Sequence, residues 1–201
     1  MPSLSGALLW IQQHYTEIFA VITGLLYVFF AIRGNILLWF FGIVSSALYV
    51  GIFMHAGIFA YAVLYVYYVL IGIYGWYKWR STAGKSETGT KNSILRTPAF
   101  HLGIYLLAII VLAVPIYFAL KGFTTSDMPL IDAVLTSGGI VATWMLTQKY
   151  IEQWLFWIII NLVSCGAMIY KELYPSAFLF LVYALMAVLG YVQWNKELKA
   201  S

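Results

Sequence analysis

Seven unbroken apolar runs, each close to the ~20 residues that a helix needs to cross ~30 Å of hydrocarbon, occupy most of the chain. They lie near Tyr15 to Ile32, Ile36 to Phe53, Phe59 to Trp79, Leu102 to Leu120, Ile131 to Leu146, Trp154 to Tyr170 and Ala177 to Trp194. The apolar residues come in blocks and not at every second position, which excludes the alternating strands of a membrane β-barrel. A water-soluble fold is excluded as well: 63% of the 201 residues are hydrophobic and only 9% are charged, too few to cover a surface. The expectation is an all-α integral membrane protein with seven transmembrane helices.

Several function classes fall away on the same reading. The single cysteine, Cys165, sits in an apolar stretch, so an intramolecular disulfide is excluded and packing as a small apolar side chain is its expected role. His14, His55 and His101 lie apart near span ends and form no ligand set with the cysteine or the few carboxylates, so no metal is expected. No nucleophile, base and orienting group share a recognisable spacing, and there is no glycine-rich phosphate loop; the chain reads as a non-enzyme without a cofactor. The net charge of +4 arises without a basic cluster on a polar face, which argues against nucleic acid as a partner. No Lys or Arg precedes the first run, so the charged region of a cleavable signal is missing and the run is expected to be retained.

The connections between runs are short (RGN, MHAGI, TQKYIEQ, KELYPS), apart from the polar segment Arg80 to His101 with its STAGKSETGTKNS stretch, which reads as a flexible linker. Pro115 falls inside the fourth run and is expected to kink it. With the amino terminus outside, Arg33, Lys78, Arg80, Lys85, Lys91, Arg96, Lys149, Lys196 and Lys199 all lie on the inner side, leaving only Lys121 and Lys171 outside. That asymmetry predicts an outside amino terminus, a cytoplasmic carboxyl terminus and an odd number of spans.

Sliding the chain along itself by 115 positions reveals an internal repeat without gaps. Gly24 falls on Gly139, Ile36 on Ile151, Trp39 on Trp154, Ile43 on Ile158, Gly51 on Gly166, Ala62 on Ala177, Tyr68 on Tyr183, Gly75 on Gly190 and Trp79 on Trp194. Apolar composition alone produces Leu and Ile matches, but not three Gly pairs, two Trp pairs and a Tyr pair in one register. The predicted organisation is a three-helix bundle over residues 15–79, a cytoplasmic linker over 80–101, a linker transmembrane helix over 102–120 and a second three-helix bundle over 131–194. Three helices reverse direction and the linker helix reverses it again, so the two repeats are parallel, as in sugar facilitators of the SWEET type. The substrate site is then expected at the bundle interface, near mid-membrane.

In the sixth run Trp154, Trp157, Asn161 and Ser164 share one helical face, which places two indoles, an amide and a hydroxyl together. An amide buried in lipid needs either an interhelical hydrogen bond or a ligand, and both readings of Asn161 stand at this point. The same register in the second run brings Trp39, Gly42, Ser46 and Tyr49 together; the third adds Tyr61, Tyr65 and Tyr68, and the seventh Ser176, Phe180 and Tyr183. A flat ring stacked between such stripes is the chemistry they suit. Trp10, Trp76, Trp79 and Trp194 fall near span ends, where an interfacial aromatic belt is the expected role, while Trp144 is left open.

The stretches NILLWFFGIVSSALYVGIF from Asn35, YYVLIGIYGWYKW from Tyr67, IVATWMLTQKYIEQWLFWIIIN from Ile140 and IYKELYPSAFLFLVYALMAVLGYVQW from Ile169 resemble the PnuC family of vitamin-precursor transporters. The resemblance implies a SWEET-like arrangement of three plus one plus three helices in a bacterial cytoplasmic membrane. It also implies facilitated uptake (uniport) of nicotinamide riboside, trapped inside by a cytoplasmic kinase. It points to Trp154, Trp157, Asn161 and Tyr183 as lining the site, with Trp39, Ser46, Tyr65 and Tyr68 from the first half completing the predicted substrate-binding set. One departure stands out: nicotinamide riboside carriers of this family often have Gln nine residues before the tyrosine of YGW, and here that position is Tyr65. A branch resembling the ATWM and YPSA segments is associated with thiamine, which is therefore the alternative substrate, with riboflavin and nucleosides behind it. The expected partners are thus a small vitamin and the lipid bilayer, and a homo-oligomer is left open.

The topology is directly testable. Reporter fusions at Lys199 and within Ser86 to Asn92 should both report cytoplasm; opposite locations would eliminate seven spans.

Overall fold

A computed structural model describes residues 4–55, 57, 59–83, 94–124 and 126–200. They form seven α-helices: α1 Leu4–Ile32, α2 Leu37–His55, α3 Phe59–Ala83, α4 Ala99–Phe123, α5 Pro129–Thr147, α6 Gln153–Tyr170 and α7 Tyr174–Ala200. The predicted runs fall one to a helix, in order. Most helices overrun their hydropathy-defined ends because the backbone stays helical where side chains turn polar, as at the Asn195–Ala200 end of α7. Among the described residues five helices are long and apolar enough to cross a membrane: α2, α4, α5, α6 and the Ser176–Ala200 part of α7. α4 runs unbroken through Pro115. The linker residues Lys85, Glu87 and Lys91 and the side chains of Trp10, His14 and Glu17 fall outside the described residues.

The chain divides into two compact units, one of Met1–Ala31 with Asn35–Tyr77 and one of Ile32–Gly34 with Lys78–Ser201. In the first, the Ser45 hydroxyl donates to the Ala20 carbonyl oxygen at 3.0 Å, tying α2 to α1, and Phe30 stacks on Phe41 with centroids 5.3 Å apart. In the second, α5 packs against both α4 and α6, and α6 against α7. α5 is consequently the most enclosed of the five membrane-length helices, burying Ser137, Gly138, Gly139, Thr143 and Thr147 among its apolar residues. Its hydroxyls are satisfied internally: Ser137 donates to Ala133 O at 2.6 Å, Thr143 to Gly139 O at 2.8 Å and Thr147 to Trp144 O at 2.7 Å. Such back-bonding removes the cost of a hydroxyl in a medium without water.

The turns repeat at the offset seen in the sequence. Gly34 and Lys149, 115 positions apart, both have positive φ, 58° and 59°; Gly57 and Glu172, at the same offset, have 73° and 60°. The bonds around them also correspond: Asn35 N to Phe30 O at 3.0 Å matches Tyr150 N to Met145 O at 3.1 Å, and Trp39 N to Ile36 O at 3.1 Å matches Trp154 N to Ile151 O at 3.1 Å. Glycine adopts this backbone freely, whereas Lys149 and Glu172 hold it at about 1 to 2 kcal/mol each.

Each unit also contains a tryptophan seated directly on a glycine. The Trp39 indole lies against Gly75 of α3, and the Trp154 indole against Gly190 of α7; a Cβ on either glycine would come within 2.5 Å or 2.6 Å of the ring. The missing side chain lets the helices of each pair approach and bury a large ring, which leaves Trp39 and Trp154 almost wholly enclosed. Gly75→Ala and Gly190→Ala should therefore each lower stability by about 1 to 3 kcal/mol in thermal or denaturant unfolding of the purified protein. Gly166→Ala, where a Cβ meets nothing within 4 Å, should be neutral or slightly stabilising; equal losses at all three positions would refute the wedge.

Candidate functional site

The 3.6-residue period puts Gln153, Trp157, Asn161 and Ser164 along one stripe of α6. Gln153, Asn161 and Ser164 are buried and Trp157 is half-buried. Asn161 has no side-chain hydrogen-bond partner among the described residues, so the interhelical bond that would account for a buried amide is not made there. Trp154 sits at the edge of the stripe and is 3% exposed, its ring closed in by Gly190 and by Trp194, which meets it edge-on at 5.7 Å. On α7, Tyr183 is half-buried. Within this unit Trp157 and Asn161 thus form a shared face, while Trp154 is a packing ring.

In the first unit Trp39 plays the packing part and Ser46 is buried on α2. Tyr65 and Tyr68 meet edge-on at 5.7 Å and belong to a longer ring cluster. Tyr65 lies 4.9 Å from Tyr49 and 5.4 Å from Phe53, and Phe53 stacks on Tyr61 at 5.3 Å. Tyr49 and Tyr61 were visible as members of sequence stripes; Phe53, at the end of its apolar run, carried no signal that separates it from any other core phenylalanine. Gln153 was missed because the segment TQKYIEQ reads as a loop, although its spacing of four from Trp157 and eight from Asn161 was there to be seen.

Two predicted belt residues are core residues. Trp79 is 2% and Trp194 0% exposed. The Trp79 Nε1–H donates to Thr147 O at 3.2 Å, and the Lys149 ammonium lies 4.2 Å from the centre of its ring. A position near a helix end says how deep a tryptophan lies, but its face is set by the groups packed around it, Thr147 and Lys149 for Trp79 and Trp154 for Trp194. Trp76 is half-buried, edge-on to Phe40 at 6.2 Å, and Trp144 is exposed.

Trp79 belongs to a polar framework around the α5–α6 turn. Lys78 Nζ donates to Gln148 Oε1, and Gln148 Nε2 to Thr147 Oγ1 at 2.9 Å. Leu95 and Tyr150 form a parallel bridge through Leu95 N to Lys149 O and Ile151 N to Leu95 O, both 3.0 Å. The Glu152 carboxylate accepts from Thr97 N at 2.8 Å and from Thr97 Oγ1 at 2.7 Å. The first turn of α6 is thereby anchored to the segment preceding α4. Burial pushes the Lys149 ammonium down to about 8, partly opposed by Glu197.

Taken together, the described residues offer aromatic rings and neutral amides and hydroxyls, and no group of three or more His, Cys, Asp or Glu able to hold a metal. The fold defines an all-helical, multi-pass membrane protein. The chain belongs to the nicotinamide mononucleotide transporter family, whose profile matches residues 14–196. It is 24% identical over 202 residues to the nicotinamide riboside transporter PnuC of Escherichia coli (strain K12), covering 90% of this chain and 84% of that protein. The PnuC of Neisseria mucosa is 26% identical over 189 residues, covering 90% and 72%. The riboflavin/roseoflavin transporter RibM of Streptomyces davaonensis is 23% identical over 193 residues, covering 94% and 90%. The crystal structure of the vitamin B3 transporter PnuC shares the fold, with a TM-score of 0.74 at 23% identity over 98% of this chain and 87% of that one. These relatives are named as transporters and not as enzymes.

Lys149 yields a pH prediction. Its folded pKa lies below the ordinary 10.5, so its contribution to stability is fully present above about 10.5 and is lost as pH falls through about 8, where the buried ammonium becomes charged. The melting temperature of the wild type relative to Lys149→Met, which keeps the backbone conformation and most of the chain length, should therefore rise between pH 8 and 10. Parallel pH profiles would show that the ammonium is effectively solvated.

Proposed function

We propose that this protein is a uniporter of the bacterial cytoplasmic membrane that takes up nicotinamide riboside, and that a cytoplasmic kinase traps the substrate by phosphorylation. The observation that carries the reading is the α6 stripe, where the Trp157 ring and the unpartnered Asn161 amide lie on one buried, uncharged face. A nicotinamide ring can stack on the indole while its carboxamide or ribose bonds the amide. The names of the Escherichia coli and Neisseria mucosa relatives support this substrate. Phosphorylation adds close to two negative charges, which an uncharged aromatic face does not accommodate. In α2 to α7, Asp132 stands near a helix end, Glu152 lies just before α6, and no Lys, Arg or His falls mid-helix, which supports transport without a coupled ion.

The rest of the proposal concerns arrangement. The paired turns and the paired Trp–Gly contacts support two parallel three-helix repeats, residues 15–79 and 131–194, joined by a linker at 80–101 and a helix at 102–120. The distribution of basic residues supports an outside amino terminus and a cytoplasmic carboxyl terminus, which puts the α5–α6 turn on the cytoplasmic side. Trp39, Ser46, Tyr65, Tyr68, Trp154 and Tyr183 complete the proposed substrate contacts, and Trp39 and Trp154 also hold the helix pairs on which they stand. Thiamine is the second reading, favoured by Tyr65 and its ring cluster, which offers π-faces to a cationic heterocycle where an amide was expected.

Calorimetry with the purified protein should detect micromolar or tighter binding of nicotinamide riboside or thiamine, about 8 kcal/mol or more. Asn161→Leu and Trp157→Ala should each weaken it by about 1 to 3 kcal/mol, and Leu162→Ala, on the exposed face of α6, should not. Proteoliposomes should equilibrate the substrate in both directions without accumulating it on a proton or sodium gradient when the membrane potential is clamped. Binding of riboflavin or a nucleoside alone would reject both substrates, and gradient-driven accumulation would reject uniport.

A further inference from the structure

Gln153 is completely enclosed, at 0% exposure, and yet neither its amide nitrogen nor its amide oxygen has a hydrogen-bond partner. An orphaned amide inside a protein is costly, and a lipid environment offers it no relief. The backbone does not demand an amide there. At the corresponding position 115 residues earlier stands Leu38, equally enclosed at 0% exposure, in a turn closed by the same bond: Leu38 N to Asn35 O at 3.0 Å against Gln153 N to Tyr150 O at 3.3 Å. Leucine fits this backbone without any unmet polar group, and the second unit nevertheless carries glutamine.

Position supplies the reason. Gln153 stands one turn before Trp157 and two before Asn161, at the end of the buried stripe proposed to bind substrate. A primary amide presents a donor beside an acceptor, which matches a carboxamide in a reciprocal pair: its N–H donates to the ligand carbonyl and its oxygen accepts from the ligand NH2. The aminopyrimidine edge of thiamine presents the same donor beside an acceptor.

We propose that Gln153 is a specificity-determining residue, whose amide takes the neutral donor–acceptor edge of the substrate as it passes the cytoplasmic end of α6. Gln153 is enclosed in the conformation described, so the pair forms when groups packed on its amide move aside during passage, the segment bonded through Thr97 and Glu152 staying with α6. This assignment rests on the transport function proposed above and adds to it a contact beyond Trp157 and Asn161.

The test compares wild type with Gln153→Leu, the side chain already used at position 38, and Gln153→Met, which keeps the length and removes both polar atoms. Ligand-free thermal stability of each purified full-length protein is measured alongside exchange of labelled nicotinamide riboside and labelled thiamine in proteoliposomes. Both variants should be at least as stable as wild type without ligand, while exchange of the substrate that wild type carries should fall about tenfold or more. Exchange within about twofold of wild type would overturn the inference and leave the transport reading standing. Loss of exchange together with lowered ligand-free stability in both variants would also overturn it, by making Gln153 a structural residue. Exchange of neither compound by wild type would reject both proposed substrates, and this inference with them.

Discussion

Hydrocarbon offers no hydrogen-bond partner, so every polar group of a chain that lives in it must be satisfied from within, and most features of this structure follow from that condition. The backbone answers with seven helices. The hydroxyls of Ser137, Thr143 and Thr147 answer with carbonyls of their own helix, and the Trp79 indole with the Thr147 carbonyl. Among the described residues the buried exceptions include Trp154 Nε1, Asn195 Oδ1 and both amide atoms of Gln153. Gln153, whose amide nitrogen and oxygen are both buried without a partner, lies on the same stripe of α6 as Asn161.

Packing relies on backbone proximity more than on apolar burial, because lipid tails are as apolar as leucine and give helices no reason to associate. The two Trp–Gly contacts show how this is done here: a glycine removes its side chain, a large ring occupies the space, and dispersion holds the helix pair. The same correspondence at 115 residues covers the positive-φ turns and their hydrogen bonds. It fails where chemistry is placed. Ser46 corresponds to Asn161, Leu38 to Gln153 and Tyr49 to Ser164, so a hydroxyl, an aliphatic chain and a ring in the first unit stand where the second carries two amides and a hydroxyl.

Hydropathy alone determined the number, order and approximate position of the helices, because partition into hydrocarbon depends on composition over a window and not on neighbours. The 115-residue correspondence and the Trp157–Asn161 stripe were equally legible, since both are matters of spacing along one strand of sequence. The faces of the helices were not. Trp79 and Trp194 looked like belt residues from their depth, and only the approach of Thr147, Lys149 and Trp154 decided that they point inward. Gln153 looked like a loop residue until the first turn of α6 enclosed it, and Phe53 became part of a ring cluster only when α2 met α3. A sequence specifies what each side chain needs, but which need is met, and which is left unmet, depends on groups far along the chain that only tertiary packing brings together.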